Sequence, residues 1–93
     1  MQIGVQTFRL MLPGVDSLKG KRMVVKSLKS RMRQKFNVSV SETGLQDVHQ
    51  AAEITVAVVA GDRGSVDSIL DHVDQFVESD GRALIQRVER EFR

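Results

Sequence analysis

The apolar positions of the chain change period several times. Residues 2–11, Gln-Ile-Gly-Val-Gln-Thr-Phe-Arg-Leu-Met, carry the β-formers of a strand. Ile3 and Val5 alternate in one phase, Phe8 and Leu10 in the other, which predicts a bulge or twist near Thr7. Pro13-Gly14 breaks this strand. Ser17 then offers a helix N-cap, and Leu18, Val25, Leu28, Met32 and Phe36 fall on one stripe at helical spacing, with Val24 on its edge. From Asn37 the period returns to two: Val38 and Val40 point to a core, Ser39 and Ser41 away, until Gly44. Ile54 to Ala60 is apolar on both faces, as a central strand is. Asp62 can cap a second helix whose stripe is Val66, Ile69, Leu70, Val73, Phe76 and Val77, with Gly81 as a stop. Leu84 to Phe92 has strand character, with Leu84, Val88 and Phe92 expected on one face.

The predicted order is β-α-β-β-α-β, an α+β pattern that fits a ferredoxin-like split βαβ sandwich. Right-handed crossovers would put the first and third strands in the centre of a four-stranded antiparallel sheet, with both helices on one face.

At 93 residues, 41% hydrophobic and 28% charged, the chain is one small folded domain spanning residues 1–93. There is no Cys, so no disulfide forms. The longest apolar run is far shorter than the ~20 residues a membrane helix needs, and the N-terminus lacks the basic flank of a signal peptide. A cytoplasmic location is the expectation.

Charge changes the picture more. Residues 1–46 hold nine Lys or Arg against Asp16 and Glu42, whereas residues 47–93 hold five Arg against ten acids. The net charge of +2 therefore conceals a dipole. Lys19, Arg22, Lys26, Lys29 and Arg33 recur at steps of three and four, on one face of the first helix, and no acid occurs from Ser17 to Ser41. Such a stripe contacts the backbone of a nucleic acid, pairs with the acidic face of the second helix (Asp67, Asp71, Asp74, Glu78), or serves solubility. The nucleic-acid reading includes Lys21 and takes Lys19, Lys21, Arg22, Lys26, Lys29 and Arg33 as the contact set.

Other features carry less chemistry. The turn into the first helix, with Gly14, Ser17 and Lys19, is a candidate anion site, because a helix N-terminus presents free N–H groups. Ala60-Gly61-Asp62-Arg63-Gly64-Ser65 lacks the ending of a P-loop, and Asp62 would repel phosphate. His49 and His72 lack the convergent ligands of a metal site. No nucleophile stands in a recognisable motif, so no catalytic residue, cofactor or small-molecule substrate is assigned. There is no Trp or Tyr, and only Phe8 lies on a predicted central strand. Base stacking on the sheet, as in RNA-recognition motifs, is disfavoured, so RNA would use the helix and its entry turn.

The phrase Ser17-Leu18-Lys19-Gly20-Lys21-Arg22, followed by Val25-Lys26-Ser27-Leu28, Arg33-Gln34-Lys35-Phe36-Asn37-Val38-Ser39-Val40 and Val58-Val59-Ala60-Gly61-Asp62-Arg63, resembles the small bacterial YlxP-like family. That family is catalogued mainly as a domain of unknown function. The resemblance implies a cytoplasmic ferredoxin-like domain acting near translation or RNA. It also implies a Glu where this chain has Gly20, so the capping box with Ser17 is missing and the first helix should start loosely. The Gly-Val-x-Phe-Arg loop of acylphosphatase, another fold of this size, is absent.

The expected function is a non-catalytic RNA- or ribosome-associated module. The alternative is a homo-oligomeric interaction module without a nucleic-acid role, and the third reading a small phosphate- or acyl-handling enzyme. A homodimer is expected through a mostly apolar open sheet face (Thr55, Ala57, Val59) or through an edge strand.

Overall fold

The computed structural model describes residues 1–93. The elements run β1 (Gln2–Met11), α1 (Leu18–Lys35), β2 (Ser39–Gly44), β3 (Ala51–Ala60), α2 (Arg63–Glu78) and β4 (Leu84–Phe92). The sheet order is β2-β3-β1-β4 with every neighbouring pair antiparallel. This is the ferredoxin-like α+β arrangement, with β1 and β3 central.

Both helices lie on one face and close a single core. Phe8 and Leu10 of β1, Ile54, Val56 and Val58 of β3, and Val40 of β2 meet Val25, Leu28 and Met32 of α1 and Val66, Leu70, Val73 and Val77 of α2. Each helix begins at a side-chain cap: Ser17 Oγ accepts from the Gly20 N–H at 3.0 Å, and Asp62 Oδ1 accepts from the Ser65 N–H at 2.8 Å. The Asp62 carboxyl is held below its usual range by that backbone bond. β3 begins at Ala51, three residues before the apolar run, because Ala51, Ala52 and Glu53 pair with Met11, Leu10 and Arg9.

The bulge expected near Thr7 is not there. β1 alternates without interruption, and its inward positions are Gly4, Gln6, Phe8 and Leu10. A Cβ on Gly4 would run into Val66 Cγ1, so α2 lies directly on the backbone at that point. Gln6 is fully buried beside it. Ile3 and Val5 consequently face the open side of the sheet. Register irregularities lie instead in the two edge strands: in β4, Gln86 is left over between the pairs Arg9–Arg87 and Leu10–Ile85, and in β2, Thr43 between Glu42–Ile54 and Gly44–Glu53. The first matters more for the faces of the sheet. It reverses the phase of β4: Leu84 joins Met11 on the open face, whereas Val88 and Phe92 face the helices opposite Phe8 and Gly4.

The open face is less apolar than the sequence pattern suggests. Its centre is polar: Thr43, Thr55 and Thr7 form a row of hydroxyls across β2, β3 and β1, with Oγ1–Oγ1 separations of 2.7 and 3.2 Å. Beside that row, Thr7, Arg9, Glu53, Arg87 and Glu89 line a small pocket of about 50 Å³. Apolar groups are left at the two ends: Ile3, Val5, Ala57 and Val59 at one, Met11 and Leu84 at the other.

Candidate nucleic-acid interface

The cations of α1 are set by the same period that buries its core. Val25, Leu28 and Met32 face the sheet, and Arg22, Lys26, Lys29 and Arg33 follow one step round the helix. Together with Val25, Ser30 and Glu42, these four line a groove of about 480 Å³ between α1 and β2. Arg33 also has a structural duty, donating from Nη2 to the Val40 carbonyl at 2.7 Å. Lys19 is exposed one turn earlier and is not among the groove walls.

Lys21 leaves the contact set. It is buried, its Nζ donates to the Leu45 carbonyl, and it lies 3.2 Å from Glu42 Oε2. The reason is legible in the spacing: Lys21, Val25, Leu28 and Met32 stand at steps of four, three and four, so Lys21 is the polar end of the buried stripe. Its ammonium snorkels to the hairpin that joins β2 to β3, where Leu45 takes a left-handed φ of 58°. Glu42 is thereby spent. The only carboxylate in the groove wall faces a buried lysine of its own domain.

The acids of α2 do not reach the α1 stripe either. Asp67, Asp71 and Asp74 all pair with Arg90 of β4, at 3.0, 3.0 and 3.3 Å. Gln6 completes this cluster, donating to Asp74 Oδ1 and accepting from Arg90 Nε. Partial burial raises the Asp74 carboxyl above its ordinary range against the opposing pull of Arg90. The charge dipole of the sequence thus becomes a dipole of the fold, with cations over β2 and acids over β4.

The remaining α1 cations act locally. Arg31 pairs with Asp80 at 3.0 Å and lies 5.0 Å above the Phe76 ring. Lys35 sits over Phe36 and Phe76. Asp80, buried in the turn before β4, accepts from Arg31 and three times from Arg82, whose bonds hold its carboxyl down to about 2. Arg82 Nη2 also donates to Ser27 Oγ, which ties this turn to α1. Nothing in the spacing of Arg31, Asp80 and Arg82 announces this cluster, because it depends on how the α2–β4 turn folds back.

The three residues of the candidate anion site line no common cavity. Ser17 Oγ is used as the helix cap. Gly14 lines a different cavity, of about 350 Å³, with Pro13, Val15, Val24, Gly81 and Arg82, and neither Ser17 nor Lys19 is among its walls. Phe8, the one aromatic available for stacking, is wholly buried against the helices, since the unbroken alternation of β1 turns it inward. His49 is exposed in the β2–β3 loop, and His72 is exposed on α2 with Nδ1 2.7 Å from the Ser68 carbonyl oxygen.

The fold and the groove define a small ferredoxin-like domain with a basic first helix. Residues 3–90 match the family described as "Protein of unknown function (DUF503)", and the chain belongs to that family. It is 36% identical over 77 residues to the "Uncharacterized protein YlxP" of Bacillus subtilis (strain 168), a match covering 83% of this chain and 84% of the relative. Among solved structures, the "De novo designed protein Foldit4" superposes with a TM-score of 0.57 at 12% identity, covering all of this chain and 97% of the other. At that identity the likeness speaks for the fold alone. No helix is long and apolar enough to cross a membrane.

Proposed function

We propose that the domain is a non-catalytic RNA-binding module that grips the phosphate backbone in the α1–β2 groove, with ribosomal RNA as the class of target. The observation that carries this reading is the absence of internal anions for the stripe. Arg22, Lys26 and Lys29 form no ion pair, the groove's one carboxylate is paired to Lys21, Asp67, Asp71 and Asp74 of α2 are paired to Arg90, and Glu78 pairs with no cation of α1. Three like charges on one helix face, spaced to repel one another, are compensated only from outside. Lys and Arg at such spacing follow a phosphate backbone without reading bases. The lack of an exposed aromatic on the sheet agrees with binding through charge rather than stacking.

The test is titration of structured and single-stranded RNA across a range of salt with the variant Arg22→Gln/Lys26→Gln/Lys29→Gln. Arg33 is left in place because it also holds β2. The expected result is weaker binding and a shallower log K against log salt, by about 0.7–0.9 for each phosphate no longer neutralised. Substitution of Arg9 and Arg93 by Gln, away from α1, should leave both unchanged. Unaltered affinity of the folded triple variant would remove this surface from the function, and equal weakening by the Arg9 and Arg93 controls would mean that only net charge matters.

A further inference from the structure

The two edges of the sheet are treated differently. On β2, the carbonyls of Val40 and Glu42 point away from β3, and side chains cap both: Arg33 Nη2 on Val40 at 2.7 Å and Gln46 Nε2 on Glu42 at 3.4 Å. Covering an edge in this way prevents another strand from pairing there. β4 has no such cover. Ile3 and Arg93 exchange both of their main-chain bonds, at 3.2 and 2.8 Å, so the Arg93 groups face β1. Antiparallel alternation then turns the N–H and C=O of Phe92, Arg90 and Val88 outward, and no side chain of the domain bonds to them. Val88 is also 38% exposed despite its helix-facing position.

We infer that the β4 edge is an interaction surface for a second copy of this chain, paired antiparallel about a two-fold axis through Val88. The charges of β4 select that register. An axis normal to the sheet must pass through a residue, because directly opposed side chains share a face. Centred on Val88, Arg87 stands opposite Glu89 of the partner subunit, and Glu89 opposite the partner's Arg87. Each strand already carries an Arg87–Glu89 ion pair at 2.5 Å on the open face, so the two pairs close into a square of alternating charges. Shifting the axis to Arg87 or to Glu89 sets that residue against its own copy. Shifting it to Arg90 sets Glu89 against Glu91, and like charges directly opposed are destabilising. At the Val88 register the outward groups of Val88 bond reciprocally across the axis. The result is one eight-stranded sheet with β2 and α1 at its two outer ends, which leaves both basic grooves free. No residue is shared between this edge and the basic groove, so the dimer and RNA binding can fail independently.

Sedimentation equilibrium of the full chain at micromolar concentration tests it. The expected species has twice the chain mass of 10.4 kDa. Val88→Pro should give a folded monomer, because the N–H it removes points away from β1. Arg87→Glu and Glu89→Arg should each weaken the dimer on the order of tenfold by placing two like-charge pairs across the axis, and the double exchange should restore it. That reciprocal rescue decides the matter even if the proline variant does not fold. A monomeric wild-type chain would overturn the inference, as would a dimer indifferent to the charge exchange. A dimer lost on Val59→Asp but kept in the β4 variants would place the interface on the open sheet face and overturn it too. Monomers that pair only with an added extended peptide would assign the edge to a different occupant.

Discussion

Gln6 and Arg90 stand directly opposite each other on β1 and β4, and the buried amide of Gln6 accepts from Arg90 Nε while donating to Asp74 of α2. A polar pair in the inner layer of the sheet thus fastens α2 to the β4 edge. Removing Arg90 leaves the Gln6 carbonyl oxygen without its donor and Asp74 without its nearest cation. Arg90→Met should cost about 2 kcal/mol, read from denaturant unfolding. Asp71 is exposed and can turn to water, which keeps the loss below that of a fully buried pair. The loss should shrink in acid. The Asp74 carboxyl is raised in the folded state, so its ionised form is a penalty at high pH that disappears as pH falls below its unfolded value of 3.8. Without Arg90 that penalty grows, and the variant's deficit should be largest near neutrality.

Asp80 has the opposite linkage. Its folded value of about 2 lies below the unfolded 3.8, so its stabilisation is full above 3.8 and is lost as pH falls through about 2. The carboxylate is almost wholly buried among Arg82 and Arg31. Asp80→Asn should therefore cost about 2 kcal/mol at neutral pH and little at the acid end. Urea unfolding of both proteins across this pH range should converge at low pH. A constant difference at all pH values would show that the amide's shape, not the charge, matters.

Much of the architecture is legible in the apolar period, because six elements with clear caps and breakers leave few ways to close one core. The period fails where a polar or small residue occupies an inward place. Gly4 and Gln6 face α2, which makes β1 look broken in sequence and makes Phe8 look available for stacking. Lys21 sits on the buried stripe, yet its charge groups it with its exposed neighbours. The irregularity at Gln86 leaves no composition signal because β4 is an edge strand with polar residues in both phases. The cation row itself can be read from sequence. Whether its partner is internal cannot, since that depends on Arg90 capturing Asp67, Asp71 and Asp74.

Gly4 is a matter of space rather than of backbone conformation, since its φ is not positive. A methyl group there would strike Val66 Cγ1 and stand 3.1 Å from Leu70 Cδ1. Val66 is β-branched and holds few rotamers in a helix, so it cannot turn aside. α2 must lift from β1 instead. Gly4→Ala should cost about 1–3 kcal/mol. Pairing it with Val66→Ala should return part of that loss, because the second change removes the methyl that the first one strikes. A double variant no better than the sum of the singles would refute the steric account.

Gly20 invites the reverse experiment. It is the third residue of α1, its N–H already bonds to Ser17 Oγ at 3.0 Å, and the first turn contains no acid. Glycine costs a helix up to ~1 kcal/mol relative to ordinary residues. The cations Lys19 and Lys21 meanwhile oppose the positive end of the helix dipole. Gly20→Glu would restore side-chain propensity, add a negative charge beside that end, and let its carboxylate reach back to the Ser17 N–H as a capping box. The cost is slight crowding, since the new Cβ would lie 3.3 Å from Ser17 Oγ and 3.7 Å from Val15 Cγ1. The hydroxyl can give the few tenths of an ångström required, so the balance is favourable. We expect about 1 kcal/mol of added stability, seen as a rise in the thermal midpoint of about 4–8 °C. Gly20→Gln should keep the propensity and the capping bond without the charge. A gain for Glu that exceeds that for Gln at low salt and equals it at high salt would assign the difference to the dipole and the lysines. Loss of stability in both would mean that the approach to Ser17 is tighter than the turn can absorb.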